Sequence, residues 1–336
     1  MTSHFGPARH WSISVLLTGA LAAALILTIP AFTPEAQAAC NTTSEGQVLV
    51  MSDNVYEAEK NDASKSGDMR NFVDRMKQMA PSRYAPDIVL VQEVRKRAVN
   101  NIKRFMENKF DCNFSIPVNA SKKGWDWIRK YWKLGGQDAA VIVNTDSMLS
   151  RDKGFITHNY ARSDAANGES VKVKKTAWVK VLEKNQPNEN ETPLTVLAAS
   201  VHFPRGSEFK NEQTNKHLKK KFSEDVAQKL EKKQSDGSDQ DEVIHVIGGD
   251  FNMARFNRSP NNPLPPYKVL TSRPWNYVDG PISLTTGGNP NPIDFLFSTG
   301  KPLKAKMDTR NNSNENSRGF YSNHDLRWSL LAPYPR

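Results

Sequence analysis

The chain has 336 residues, a formal net charge of +10 and two cysteines. Cys40 and Cys112 have neither a neighbouring histidine nor a Cys-x-x-Cys partner, which argues against a thiolate metal site or a catalytic thiol. The basic excess favours polyanions, nucleic acid or anionic lipid headgroups, as partners.

The first element is a leader. Arg9 and His10 precede an apolar run over residues 13–29, then Pro30 and the small-residue site Ala36-Gln37-Ala38. This pattern predicts a secretory signal peptide over residues 1–38, the alternative being an N-terminal anchor. Beyond it no segment is apolar enough to cross a bilayer, so the expected mature protein, residues 39–336, is soluble, secreted and extracellular. Arg9 and Glu35 cancel, so the mature chain keeps the whole +10. In an oxidising compartment Cys40 and Cys112 are expected to form one disulfide, worth about 4 kcal/mol on the chain-entropy model.

Short apolar runs and helical patterns then alternate. Residues 47–52 read as a strand, and Met69, Phe72, Val73, Met76 and Met79 recur at helical spacing. Residues 88–91 form a second apolar strand. A basic helix with Val94, Ala98, Ile102 and Phe105 inward follows. Strands are predicted at 139–143, 176–182 and 194–201. Leu218, Phe222, Val226 and Leu230 mark the inner face of a long charged helix, whose run 216–221 reads as a solvated face. Strands at 243–247, 294–297 and 326–331 complete the chain. About 300 residues of mixed strands and helices, with no repeat and no long linker, argue for a single α/β domain.

Several strands end in polar residues. In the segment 243–252 a β-branched run ends in Gly248-Gly249 and then Asp250-Phe251-Asn252. Strand alternation predicts that Asp250 and Asn252 face one pocket. A carboxylate that holds a water, beside an amide that donates to a phosphate oxygen, suits phosphoester hydrolysis. Similar polar ends stand at Asp53-Asn54, Gln92-Glu93, His202 and Asp294, and a last polar piece, Ser322-Asn323-His324-Asp325, precedes the final strand. A phosphodiester resists hydroxide because its oxygens are already negative, and a divalent cation neutralises that charge. Glu93, supported by Asn54, offers oxygen ligands suited to Mg²⁺ or Mn²⁺.

These pieces, in this order from residue 47 to the C-terminus, resemble the endonuclease/exonuclease/phosphatase superfamily. The tracts Gln92-Glu93, Gly249-Asp250-Phe251-Asn252 and Ile293-Asp294-Phe295 carry the resemblance. It implies a four-layered α/β sandwich, two packed mixed β-sheets flanked by helices, with the active site at one edge. It further implies that Asn54 and Glu93 serve the metal, that Asp250 orients or deprotonates the attacking water, and that Asn252 contacts the phosphate or the metal shell. His324 with its carboxylate partner Asp294 would present a charged imidazole to the phosphate. His202 is similar to the histidine of the deoxyribonuclease I-like branch, which protonates the leaving oxygen. A buttressing carboxylate-type residue there corresponds to Gln137 or Asp138. Lys174 or Lys175 would supply a phosphate-binding charge, or form a solvated strand end.

Two positions depart from the family pattern. Asp53 stands where an aromatic residue is usual, and either adds charge near the metal or lies on the other face. The usual Ser-Asp-His reads Ser322-Asn323-His324. Asn323 can ligate through its carbonyl oxygen but carries no charge, and Asp325 is expected to point the opposite way. Altered metal affinity or a weaker catalyst is the expectation.

The segment 122–133 interleaves lysine and arginine with three tryptophans and a tyrosine. It reads as a strip for a phosphate backbone and stacked bases, as a membrane-interface loop, or as a hairpin with its rings packed inward. The leading reading is a secreted, monomeric, Mg²⁺- or Mn²⁺-dependent nuclease acting on DNA. A sphingomyelinase-like phospholipid phosphodiesterase and a catalytically impaired polyanion-binding protein are the alternatives. The mainly polar loops and the basic charge favour nucleic acid.

Overall fold

The computed structural model describes residues 40–58, 69–119, 138–166, 173–184, 193–235, 242–254, 263–279, 293–307, 324 and 326–334. Residues 1–38, the strip 122–133, Gln137, Asn323 and Asp325 lie outside the described residues. Among the described residues twelve strands form two six-stranded sheets. The first sheet takes the order β11 (Lys301–Met307), β12 (Arg327–Ala332), β1 (Val48–Ala58), β2 (Ile88–Val94), β4 (Asp138–Asn144) and β3 (Phe114–Val118). The second takes the order β5 (Met148–Asn159), β6 (Val173–Glu183), β7 (Thr195–His202), β8 (Val243–Asp250), β10 (Asp294–Ser298) and β9 (Val278–Asp279). Both sheets are mixed: β1 and β2 are parallel, as are β7 and β8, and the other pairings are antiparallel.

The continuous apolar runs form strands that are buried on both faces. Val48, Val50, Ile88 and Leu90 point between the sheets, where they meet Val179, Val196, Ile244 and Val246. Their neighbours Leu49, Met51, Val89 and Val91 point outward, against α1 (Met69–Met79) and α2 (Lys96–Phe110). On the far side, Leu197, Ala199 and Ile247 pack under α3 (Glu212–Ser235). This is the four-layered sandwich expected of the sequence.

Phe105 is only partly buried; Met106 and Phe110 take the inner face of α2, and Val94 ends β2 instead of opening the helix. The strands that patterning missed are β3, β5, β9 and β11. β5 alternates buried or half-buried with exposed residues, as an edge strand with one wet face does. β11 carries lysines on its exposed edge, which protects it from strand addition. The sheets are also joined by a buried ion pair, Arg327 to Asp279 at 3.6 Å, with the Arg327 guanidinium over the Phe295 ring.

One end of the sandwich is fastened. Cys40 and Cys112 form a disulfide across 72 residues of sequence. Close by, the fully buried Asp87 accepts hydrogen bonds from the Leu49 N–H (2.7 Å), the Thr43 hydroxyl (3.0 Å) and the Ser147 hydroxyl (2.5 Å). Burial pushes its carboxyl up to about 6, against the lowering effect of those donors. A raised folded-state pKa means that the stability contributed by Asp87 is complete only below 3.8 and is lost as pH rises through 6. Half-buried Glu183, pushed to about 6 by its own burial, acts with the same sign.

Two outcomes are expected. Asp87→Asn removes about 2 kcal/mol of the stability difference between about pH 4.5 and pH 7.5, read from urea unfolding of both proteins at the two pH values. A Cys40→Ser, Cys112→Ser double variant loses about 4 kcal/mol in the same measurement.

Candidate active site

The polar strand ends meet at the opposite edge. In register, His202 of β7 pairs with Asp250 of β8, and Asp294 of β10 pairs with Asp250 from the other side. Three neighbouring strands of one sheet therefore present His202, Asp250 and Asp294 side by side. The other sheet brings Asn54 and the Gln92-Glu93 tract, with Asn54 opposite Gln92.

The sheets approach closely enough here that the sequence must use glycine. A Cβ at Gly248 would stand 2.8 Å from Leu90 Cδ1 and 2.9 Å from Leu296 Cδ1. Gly249 has φ of +138°, and a Cβ there would meet the Val201 carbonyl oxygen at 2.1 Å. Only glycine accepts that conformation and that contact. The same apposition lets Gln92 Nε2 donate to the Ser200 hydroxyl at 2.8 Å and Ser200 Oγ donate to the Val91 carbonyl at 3.1 Å, both between sheets.

Asn54 is the bridge. Its Nδ2 lies 3.2 Å from Glu93 Oε1, 3.0 Å from Asp250 Oδ2 and 3.2 Å from His324 Nε2. His202 Nε2 stands 3.3 Å from Glu93 Oε1 and 3.9 Å from Asp250 Oδ2, in ion-pair range of both. His324 Nδ1 reaches both oxygens of Asp294, at 3.1 and 3.0 Å. Glu93, Asp250, His202 and Asn54 are all buried.

The charges follow from this packing. Burial alone would raise the Glu93 carboxyl, but the interactions with His202, the Asn54 amide and His324 hold it at about 2. Asp250 goes the other way: burial, then the adjacent Asp294 carboxylate, raise it above its ordinary value, against His202, His324 and the Asn252 N–H. Burial would lower His324, yet Asp294, Asp250 and Asp53 raise it to about 10, so the imidazole is charged at neutral pH. The site thus holds an ionised acid, a carboxylate that takes up a proton readily, and an imidazolium.

Asp53 is buried, and its charge reaches His324. Asn252 corrects the alternation argument. β8 ends at Asp250, and Asn252 takes a left-handed φ of 47°, so it meets Asp250 by folding back and not by strand period. Its N–H donates to Asp250 Oδ1 at 2.7 Å, and Nδ2 donates to Asp250 Oδ2 at 2.9 Å and to the Phe203 carbonyl at 2.9 Å. Both amide hydrogens are engaged, so the side chain holds the carboxylate and has none left for a phosphate oxygen. Phe251 anchors the turn from behind, with ring centroids 5.2 Å from Phe203 and 5.5 Å from Phe295.

The two expected lysines do not converge on the cluster. Lys174 stands opposite His158 on the β5–β6 pair and, among the described residues, makes no hydrogen bond or ion pair to the cluster. Lys175 lies one residue further along the pair, with its ammonium over the Phe155 ring. Asp138 opens β4, paired with Val94. Among the described residues His202 Nδ1 has no hydrogen-bond partner.

Two residues escaped the sequence reading. Arg205, three positions past His202, is 60% exposed and brings its guanidinium within 3.6 Å of Glu93 Oε1. Lys219, in the run read as a solvated face, is fully buried, and its ammonium donates to the Asn252 carbonyl. Its place three residues before Phe222 and four before Ser223, on the inward face of α3, was the available signal.

The donor set fits a hard divalent cation. Ligating atoms of Glu93, His202 and Asp250 lie within 4.8 Å of one another, as do those of Asp250, Asp294 and His324. Glu93 Oε2 is buried and, among the described residues, has no hydrogen-bond partner. A buried, ionised, unsatisfied carboxylate oxygen is what a cation satisfies.

The sandwich is the endonuclease/exonuclease/phosphatase fold. Three solved structures carry it at low identity. The catalytic domain of human nocturnin, with a bound sulfate anion, matches at a TM-score of 0.53 and 12% identity, over 87% of this chain and 96% of its own. A Bacteroides vulgatus endonuclease/exonuclease/phosphatase matches at 0.53 and 16%, over 86% and 99%. A family protein from Bacteroides thetaiotaomicron matches at 0.51 and 14%, over 87% and 100%. By sequence, no protein-family model and no curated protein matches the chain.

The His324–Asp294 pair sets a pH limit. Asp294→Asn drops the His324 pKa from about 10 toward its ordinary value of 6.5. Hydrolysis of a phosphodiester by this variant is expected to fall about tenfold or more at pH ~8 while changing little at pH ~5.5, so the alkaline limb of the pH–rate profile moves down.

Proposed function

We propose that this chain is a secreted, divalent-metal-dependent phosphodiesterase that hydrolyses nucleic acid, DNA foremost. The observation that carries the reading is the pair of overlapping triads, Glu93–His202–Asp250 and Asp250–Asp294–His324, which share Asp250. A divalent cation, Mg²⁺ or Mn²⁺, held by Glu93 with Asn54, would neutralise charge on the phosphodiester and stabilise the leaving oxygen.

The protein groups supply the rest. Asp250, with its raised proton affinity and its carboxylate held by Asn252, orients the attacking water and accepts its proton. His324, kept charged by Asp294, faces the phosphate oxygens. His202 is placed to protonate the departing oxygen. Arg205, exposed at the mouth beside Glu93, is a cation able to turn to the phosphate.

A polyanionic substrate is supported by the net charge of +10 and by a groove of about 790 Å³ on the flank of α3. Lys216, Lys220, Lys268, Arg273 and Trp275 line it, with Glu224 the acidic residue among them. Cations beside an indole suit a phosphate chain with stacked bases. Export is supported by the N-terminal pattern of residues 1–38 and by the disulfide.

The test incubates the purified chain from residue 39 with plasmid DNA, RNA and sphingomyelin vesicles, with Mg²⁺ or Mn²⁺ or with EDTA. Plasmid nicking is expected to vanish in EDTA and to fall by about 10³-fold in Asp250→Ala. Nicking that survives both would overturn the mechanism. Vesicle hydrolysis without nicking would replace the substrate, and salt-sensitive DNA binding without turnover would make the chain a polyanion-binding protein.

A further inference from the structure

A lysine buried in a helix–sheet interface is costly unless its ammonium is given a partner. Lys219 is fully buried on α3, between Leu218, Phe222 and the strands beneath them, and it spends that ammonium on a single backbone oxygen, the carbonyl of Asn252. Burial draws its pKa down to about 7, with Asp250 and Glu208 opposing.

The acceptor is the important part. Asn252 is a non-glycine residue with φ of 47°, a conformation that costs free energy and persists only when its surroundings impose it. That conformation turns the Asn252 N–H onto Asp250 Oδ1 and its side-chain amide onto Asp250 Oδ2. Phe251 clamps the turn from below through ring packing, and its N–H donates to the Ile293 carbonyl. Lys219 is the polar clamp on the other side of the same turn. We propose that Lys219 is a positioning residue, which locks the Asn252 turn and thereby holds the Asp250 carboxylate in the orientation that water activation requires. The proposal rests on the phosphodiesterase reading and adds to it a residue that touches neither substrate nor metal.

A merely structural lysine and a positioning lysine differ in what their removal changes. Lys219→Met keeps the length of the side chain and removes the donor. With bis(4-nitrophenyl) phosphate and Mn²⁺, kcat is expected to fall about 10- to 100-fold with KM unchanged within about twofold. The melting temperature should hold or rise, because a buried charge is replaced by an apolar chain. In an Asn252→Ala background the same change should cost less than about threefold, as expected for residues acting as one unit. Amide hydrogen exchange of Phe251, Asn252 and Met253 should quicken about tenfold in Lys219→Met, with β7 unchanged.

An unchanged kcat, a loss that merely tracks a lowered melting temperature, or full additivity with Asn252→Ala would overturn the role. Should the parent protein hydrolyse no phosphodiester, the functional reading fails. The exchange measurement then decides Lys219 by itself: unchanged protection of the turn overturns the clamp.

Discussion

At residues 248 and 249 the two sheets come together with no space for a side chain, and the rest of the site depends on that contact. A Cβ at either position would press on Leu90 or Gln92 of the facing sheet, and at Gly249 it would also run into the Val201 carbonyl of the adjacent strand. The approach puts Asn54 and Glu93, from one sheet, within hydrogen-bond or ion-pair distance of Asp250 and His202, from the other. Neither sheet holds the constellation alone. Moved apart by the width of a methyl group, the same residues would be two unrelated sets of polar strand ends.

The resulting site sorts its charges by neighbourhood more than by residue type. Glu93 and Asp250 are both buried acids, yet one is held at about 2 and the other is raised. At Asp250 burial and then the Asp294 carboxylate outweigh His202, His324 and the Asn252 N–H, whereas at Glu93 the contacts with His202, Asn54 and His324 outweigh burial. Opposed shifts of this kind divide the labour between a permanent anion and a proton acceptor. His324 is the counterpart, a partly buried imidazole kept charged by the acid it touches. Asp53, one residue before the bridging Asn54, adds to the field that keeps it so.

Much of this was legible from residue order, and the failures share a cause. Continuous apolar runs announced the strands buried on both faces, and Phe222, Val226 and Leu230 announced the inner face of α3. Polar residues placed directly after such runs marked Glu93, His202 and Asp250, because a buried strand reaches water only at its end. The edge strands β5 and β11 escaped, since a strand with one wet side has little apolar run to show. Asn252 and Lys219 escaped for a different reason. Alternation assumes an extended chain, and a left-handed turn breaks it. A lysine inside a basic run looks solvated until a strand end is packed over it. Both depend on contacts between elements, which no local pattern encodes.

The fastening and the chemistry occupy opposite ends of the sandwich. Asp87 precedes β2 and Glu93 lies near its end, so about 20 Å of strand separates them. The disulfide belongs to the Asp87 end: the Asn144 amide reaches Cys40 Sγ at 3.6 Å, and the Asn144 N–H donates to the Asp87 carbonyl. Crowded charge sits at one pole, and cross-links at the other. A lineage carrying this scaffold is free to alter its robustness to a harsh medium by editing one pole, leaving the tuned acids at the other undisturbed.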